Sequence, residues 1–178
     1  MRHSIFIILV MLSIFFSGCN STSDSGGIDD AIGRTAPNFS YNTLDSEQIT
    51  LSDFQGKVVY LFFYGAGCPH CRSNGPVTEF QIHSVFESDT NFVAFGLDTW
   101  NNSVSQNNSF KNATSISYPL LLNARQSLID YYGSASAYDR SVVIDANGKI
   151  AYQGSGFVNT DVNMVVETVR EELEKINS

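Results

Sequence analysis

The chain has 178 residues, a formal net charge of -8 and a pI near 4.6. That length suits one domain plus an appendage, and the acidic balance without any basic run argues against a nucleic-acid partner. An apolar content of 43% is ample for a core.

Arg2 and His3 precede Ile5 to Phe16, an apolar run too short for an ordinary membrane span but the right size for the apolar part of an export signal. It ends in Phe16-Ser17-Gly18-Cys19, which resembles the bacterial lipobox. That resemblance implies cleavage before Cys19, lipid on its sulfur, and a mature protein held on the outer side of a bacterial membrane; plain secretion is the alternative. By analogy with Gram-negative sorting, Asn20 in place of an aspartate would allow the outer membrane. The stretch Ser21 to Asp30 is rich in Ser, Gly and Asp and reads as a tether. The expected organisation is therefore a signal over 1–19, a flexible tether over 20–33 and one folded domain over 34–178. With Cys19 lipidated, the mature chain keeps a self-contained pair, Cys68 and Cys71, in an oxidising compartment.

Short strands are expected over Phe39 to Asn42 and Gln48 to Thr50, with a helical turn at Leu51 to Phe54. Val58 to Tyr64 is an unbroken β-branched and aromatic run, the pattern of a buried strand, and it leads through Gly65-Ala66-Gly67 into Cys68-Pro69-His70-Cys71. Helical spacing after Cys71 (Val77, Phe80, Val85) places Cys68 at a helix N-terminus, where unpaired amides favour an anion and populate the nucleophilic thiolate. His70, if protonated, adds positive charge, and Cys71 is spaced to close a disulfide with Cys68. Half of a zinc site and a purely structural disulfide are the other readings of a Cys-x-x-Cys; no second ligand pair is visible to complete the former.

Beyond the dithiol, Asn91 to Asp98 reads as a core strand ending near Trp100, a residue that either shapes a partner groove or anchors the polar loop Asn101 to Asn108. Ser117 to Leu122 reads as a short strand, and Arg125 to Tyr132 as a helix stopped by Gly133. Strands at Ser141 to Ile144 and Lys149 to Gln153 flank Asp145-Ala146-Asn147-Gly148, whose Asn-Gly suits a tight hairpin turn. Val162, Val165, Val166, Val169, Leu173 and Ile176 form one face of a closing helix capped near Thr160-Asp161.

From Thr35 onward the chain resembles the thioredoxin-like superfamily, in its exported TlpA and redoxin (AhpC/TSA-like) branch. The likeness rests on Ala36-Pro37-Asn38-Phe39, on Leu51 to Val59, on Cys68-Pro69-His70-Cys71 and on Val142 to Ile150. It implies an α/β fold with a central mixed β-sheet flanked by helices and an N-terminal β-hairpin extension. It also implies Cys68 as an exposed nucleophile, Cys71 as a buried resolving thiol, Pro76 as a helix kink, and a loop at Ser134 to Tyr138 facing Cys68. Pro69-His70 is like the dipeptide of strongly oxidising disulfide donors, in which a stabilised thiolate makes the disulfide a better oxidant.

Four positions depart from the family pattern: Gly67 stands where a tryptophan is usual, Phe62 in place of a buried aspartate, Asn74 in place of a glutamate, and Asp139 in place of a cis-proline. The acid that would deprotonate Cys71 is therefore not apparent; a water or Glu79 would serve. Tyr138, Asp139, Arg140 and Trp100 are candidate substrate or thiolate contacts, with a bracing Asp139-Arg140 ion pair as the plainer role.

The resulting expectation is a membrane-anchored extracytoplasmic thiol–disulfide oxidoreductase. Its partners are exported protein thiols and disulfides and an electron donor or acceptor, and it needs no cofactor beyond its own Cys68–Cys71 disulfide. Two rival readings are a peroxiredoxin-type thiol peroxidase aided by Arg140 and a copper- or zinc-binding module using both thiols and His70.

Overall fold

The computed structural model describes residues 28–178, so the signal, the lipidation site Cys19 and most of the tether lie outside the described residues. A 3-10 turn at Ile28–Ala31 opens the fold inside the stretch expected as tether. Ala31 is buried, and the Gly33 amide donates to the Ile150 carbonyl at 2.8 Å.

Seven strands follow: β1 (Ser40–Asn42), β2 (Gln48–Thr50), β3 (Val58–Tyr64), β4 (Phe92–Asp98), β5 (Leu120–Leu121), β6 (Arg140–Ile144) and β7 (Ile150–Gln153). β1 and β2 form the N-terminal hairpin, and the other five make a mixed sheet in the order β5-β4-β3-β6-β7. β4 and β5 run parallel to the central β3 side, whereas β6 and β7 are antiparallel additions. β3 is buried on both faces, which is why its apolar run is continuous rather than alternating. Val58, Tyr60, Phe62 and Tyr64 point to one core cluster, and Val59, Leu61 and Phe63 to the other.

The first cluster is covered by α1 (Pro69–Val77) with its continuation, by α3 (Val104–Thr114) and by α5 (Val158–Asn177). The second is covered by α4 (Arg125–Tyr132), the hairpin and the 3-10 turn at Leu51–Phe54. Helix on both faces of a central mixed sheet is the thioredoxin-like architecture expected above. Among the described residues no helix is long and apolar enough to cross a membrane.

Pro76 does not end its helix. The chain continues through a π-helical segment, Thr78–His83, into a last turn, α2 (Ser84–Phe86). Proline offers no amide to the preceding turn, and the Thr78 amide donates to both the Asn74 and Gly75 carbonyls as the winding loosens. Gly75 has no side chain because α3 leaves no room: an added Cβ would lie 2.5 Å from Thr114 Cγ2.

The Asn- and Ser-rich stretch after Trp100 is not the loop expected over Asn101 to Asn108. From Val104 it is helical, opened by a capping box in which Ser103 Oγ accepts from the Gln106 amide while the Gln106 side chain accepts from the Ser103 amide. Asn107, Phe110 and Thr114 face the core at helical spacing. α5 likewise begins at Val158, with Phe157 as N-cap, rather than near Thr160-Asp161. In the β6–β7 turn only Gly148 takes a positive φ, 74°, so the connection is a four-residue turn closed by the Gly148 amide on the Asp145 carbonyl and not a two-residue Asn-Gly hairpin.

Candidate active site

Strands β3 and β4 end side by side, Tyr64 opposite Asp98, and the segment from Gly65 to Cys68 springs from that shared edge. Asp98 organises it. One carboxylate oxygen accepts from the Trp100 amide and the other from the Asn102 amide and Asn107 Nδ2, while Asn102 Oδ1 in turn accepts from the Ala66 amide at 2.9 Å. Burial pushes the Asp98 carboxyl up, and those donors work against it. Arg72 Nε fixes the other end of the loop by donating to the Ala66 carbonyl at 3.0 Å.

Cys68 is the N-cap of α1, and its Sγ accepts the Cys71 amide at 3.1 Å, with Pro69 in the first helical position where its missing amide costs nothing. Both thiols are free. Burial pushes the Cys71 thiol far up, and its contact with Cys68 pushes in the same direction. The two sulfurs are thus brought together at a helix start, as their spacing predicts.

The expected exposure of Cys68 does not hold: it is 1% exposed. The cause is tertiary. Trp100, itself 37% exposed, lies on Gly65 and Gly67 and meets Tyr138 edge-on with centroids 5.0 Å apart, and Tyr138 packs on the cluster that contains Cys68. Glycine at 65 is required, since a Cβ there would overlap the indole. Trp100 therefore packs against the loop that leads into Cys68.

Asp139 corrects a second expectation. It forms no ion pair with Arg140 and is not at the surface: it is fully buried at φ 59°, in a peptide that is not cis. Its amide donates to the Phe63 carbonyl at 2.7 Å, and one carboxylate oxygen accepts Asn74 Nδ2 at 2.8 Å. Proline, with φ held near about -65°, cannot adopt this conformation. Arg140 does brace the loop, but through the carbonyls of Tyr138 and Asp139, and its guanidinium sits 5.1 Å from the centre of the Phe157 ring. His70, exposed, stacks on that same ring at 4.8 Å. Phe157 escaped the sequence reading; an aromatic residue between the Gly154 and Gly156 loop and a helix start is its only sequence signal.

Glu79 is not a partner of Cys71. Its carboxylate accepts the Ser117 amide and hydroxyl and faces His83, and those interactions outweigh burial and hold it below the usual carboxylate value. Among the described residues no group of three or more His, Cys, Asp or Glu side chains is arranged to hold a metal.

Residues 32–153 match the model of the AhpC/TSA family. The chain belongs to that family. The chain is similar to thiol-disulfide oxidoreductase ResA of Bacillus thuringiensis, 28% identical over 143 residues that cover 80% of this chain and 75% of that one. Thioredoxin-like protein YneN of Bacillus subtilis is 27% identical over 146 residues, covering 81% of this chain and 84% of its own. A solution structure of a candidate protein disulfide isomerase from Bacteroides thetaiotaomicron superposes with a TM-score of 0.72 at 30% identity, over 80% of this chain and 90% of the other. In this AhpC/TSA-family chain, then, the dithiol occupies a thioredoxin-like frame, with Phe62 buried beneath it and Asn74 and Asp139 hydrogen-bonded in its interior.

Proposed function

We propose that this chain is a thiol–disulfide oxidoreductase of exported proteins, tethered through Cys19 to the outer side of a bacterial membrane. The supporting observation is the placement of two free thiols at one helix start, with the Cys71 amide donating to Cys68 Sγ. A thiolate is the form in which a cysteine sulfur attacks a disulfide or leaves one, and the two sulfurs are close enough in the chain for one to displace a partner from the other. Cys68 exchanges with the partner sulfur, a mixed disulfide forms, and Cys71 displaces the partner. His70 tunes the thiolate from its position beside the helix start, and Pro69 fixes the geometry of the first turn. The names of the ResA relative and of the candidate disulfide isomerase of similar structure support the same reaction class. The apolar run from Ile5 to Phe16 and the Ser17-Gly18-Cys19 ending support export and anchoring.

Purified protein is expected to speed reduction of a protein disulfide by a small dithiol. Acid-quenched samples should contain a Cys68–Cys71 disulfide, two hydrogens lighter than the reduced chain. Rapid consumption of peroxide with an oxygen added at Cys68, and no acceleration of disulfide reduction, would instead support the peroxidase reading.

A further inference from the structure

Three carboxylates are buried among the described residues: Glu79, Asp98 and Asp139. The first two have both oxygens occupied by donors of the neighbouring loops. Asp139 differs: Oδ2 is held by Asn74, and Oδ1, fully enclosed, has no hydrogen-bond partner. A buried acceptor left open costs about 1–3 kcal/mol, so it is a feature to be explained. Asn74 stands three residues after Cys71 on α1, on the same side of the helix, and ties the carboxylate to the dithiol's own element. The charge of Asp139 acts on the Cys71 thiol.

Resolution poses a chemical requirement that this arrangement meets. Cys71 is completely buried, and as a thiol it cannot displace a partner; its proton must go to a base inside the same enclosure.

We propose that the Asp139 carboxylate, oriented by Asn74, is the proton carrier of Cys71. The inference rests on the oxidoreductase reading above. In the mixed-disulfide state Oδ1 takes the Cys71 proton; the Cys71 thiolate attacks Cys68 Sγ, the Cys68–Cys71 bond forms, the bond from Cys68 to the partner breaks, and the partner leaves as a thiolate that is protonated by Asp139 or water. Two electrons pass from the enzyme dithiol to the partner disulfide; in the opposite direction each step reverses. Burial raises the Asp139 carboxyl above its ordinary value, which makes its anion a stronger base, while Asn74, Arg140 and His70 lower it. The titratable groups facing it are His70 and Cys71 of α1, Tyr60 of β3 and the adjoining Arg140 of β6.

The test uses a chromogenic aromatic disulfide with the reduced chain. Cys68 attack releases one coloured thiolate, and Cys71 resolution releases a second. Asp139→Asn keeps the side-chain size, an acceptor for Asn74 and tolerance of positive φ. It is expected to leave the first release unchanged and slow the second at least about a hundredfold at neutral pH. The wild-type second phase should rise with pH as Asp139 ionises, in a limb absent from Asp139→Asn. Asn74→Ala, which removes a donor that favours the ionised form, should move that limb to higher pH. A second phase in Asp139→Asn within twofold of wild type, both phases slowed alike, or an unmoved limb in Asn74→Ala would overturn the proposal. Release of a single equivalent by the wild type would overturn the oxidoreductase reading itself.

Discussion

Cys68→Ser is expected to lower the rate of protein-disulfide reduction by at least about a thousandfold, to the level of the small dithiol alone. A serine hydroxyl accepts the Cys71 amide much as the sulfur does, so α1 keeps its N-cap and the fold its stability. What is lost is a sulfur able to enter and leave a disulfide. Cys71 does not take over, because it is completely buried and its thiol is pushed far up. The assay follows thiol release from a protein disulfide, with thermal unfolding as the control on folding. Retention of a tenth or more of the wild-type rate would remove Cys68 from the role given to it.

The second large effect concerns stability. Phe62 is fully buried at the centre of β3, stacked on Tyr64 at 5.6 Å in the cluster that also contains Cys68 and Cys71. Phe62→Ala deletes a whole ring under the active-site helix, and such cavities cost about 3–5 kcal/mol. Against a total stability of about 5–15 kcal/mol this is a large fraction, and in a domain of this size it lowers Tm by roughly 10 °C. Differential scanning calorimetry checks it; a fall of less than about 2 °C would mean that the ring supports little. The result also bears on chemistry. Where the family resemblance implies an acid, this chain has an aromatic ring packed in the same cluster as the dithiol, and a buried carboxylate stands instead just before the neighbouring strand β6, at Asp139.

Much of this was legible in the residues. Val58 to Tyr64 reads as a doubly buried strand because no polar residue interrupts it. Arg125 to Tyr132 reads as a helix because Gly133 can take the left-handed φ of 63° that ends it. The Cys-Pro-His-Cys segment announces a helix start because proline tolerates the first turn and little else of a helix.

What was not legible depends on contacts distant in sequence. Nothing near Cys68 says that Trp100, after the neighbouring strand, will lie on Gly65 and Gly67 and meet Tyr138 edge-on. Asp139 beside Arg140 suggests a local ion pair; only the β3–β6 register turns its carboxylate inward to Asn74. Glu79 sits on the right helix for an acid but belongs to Ser117. α3 is a different case, since its signal was present: Ser103 and Gln106 form the capping-box pattern, and Asn107, Phe110 and Thr114 recur at helical spacing. Composition rich in Asn and Ser masked it, because those residues favour caps and turns.

The central claim is that Cys68 captures the partner and Cys71 releases it. Its most direct measurement is covalent capture by the full-length Cys71→Ser variant in its host, followed by mapping of the disulfide-linked peptides. The account predicts partner proteins joined through Cys68, absent from the wild type and from the Cys68→Ser variant. Adducts that form equally well without Cys68, or no adducts while the wild type turns over, would contradict it.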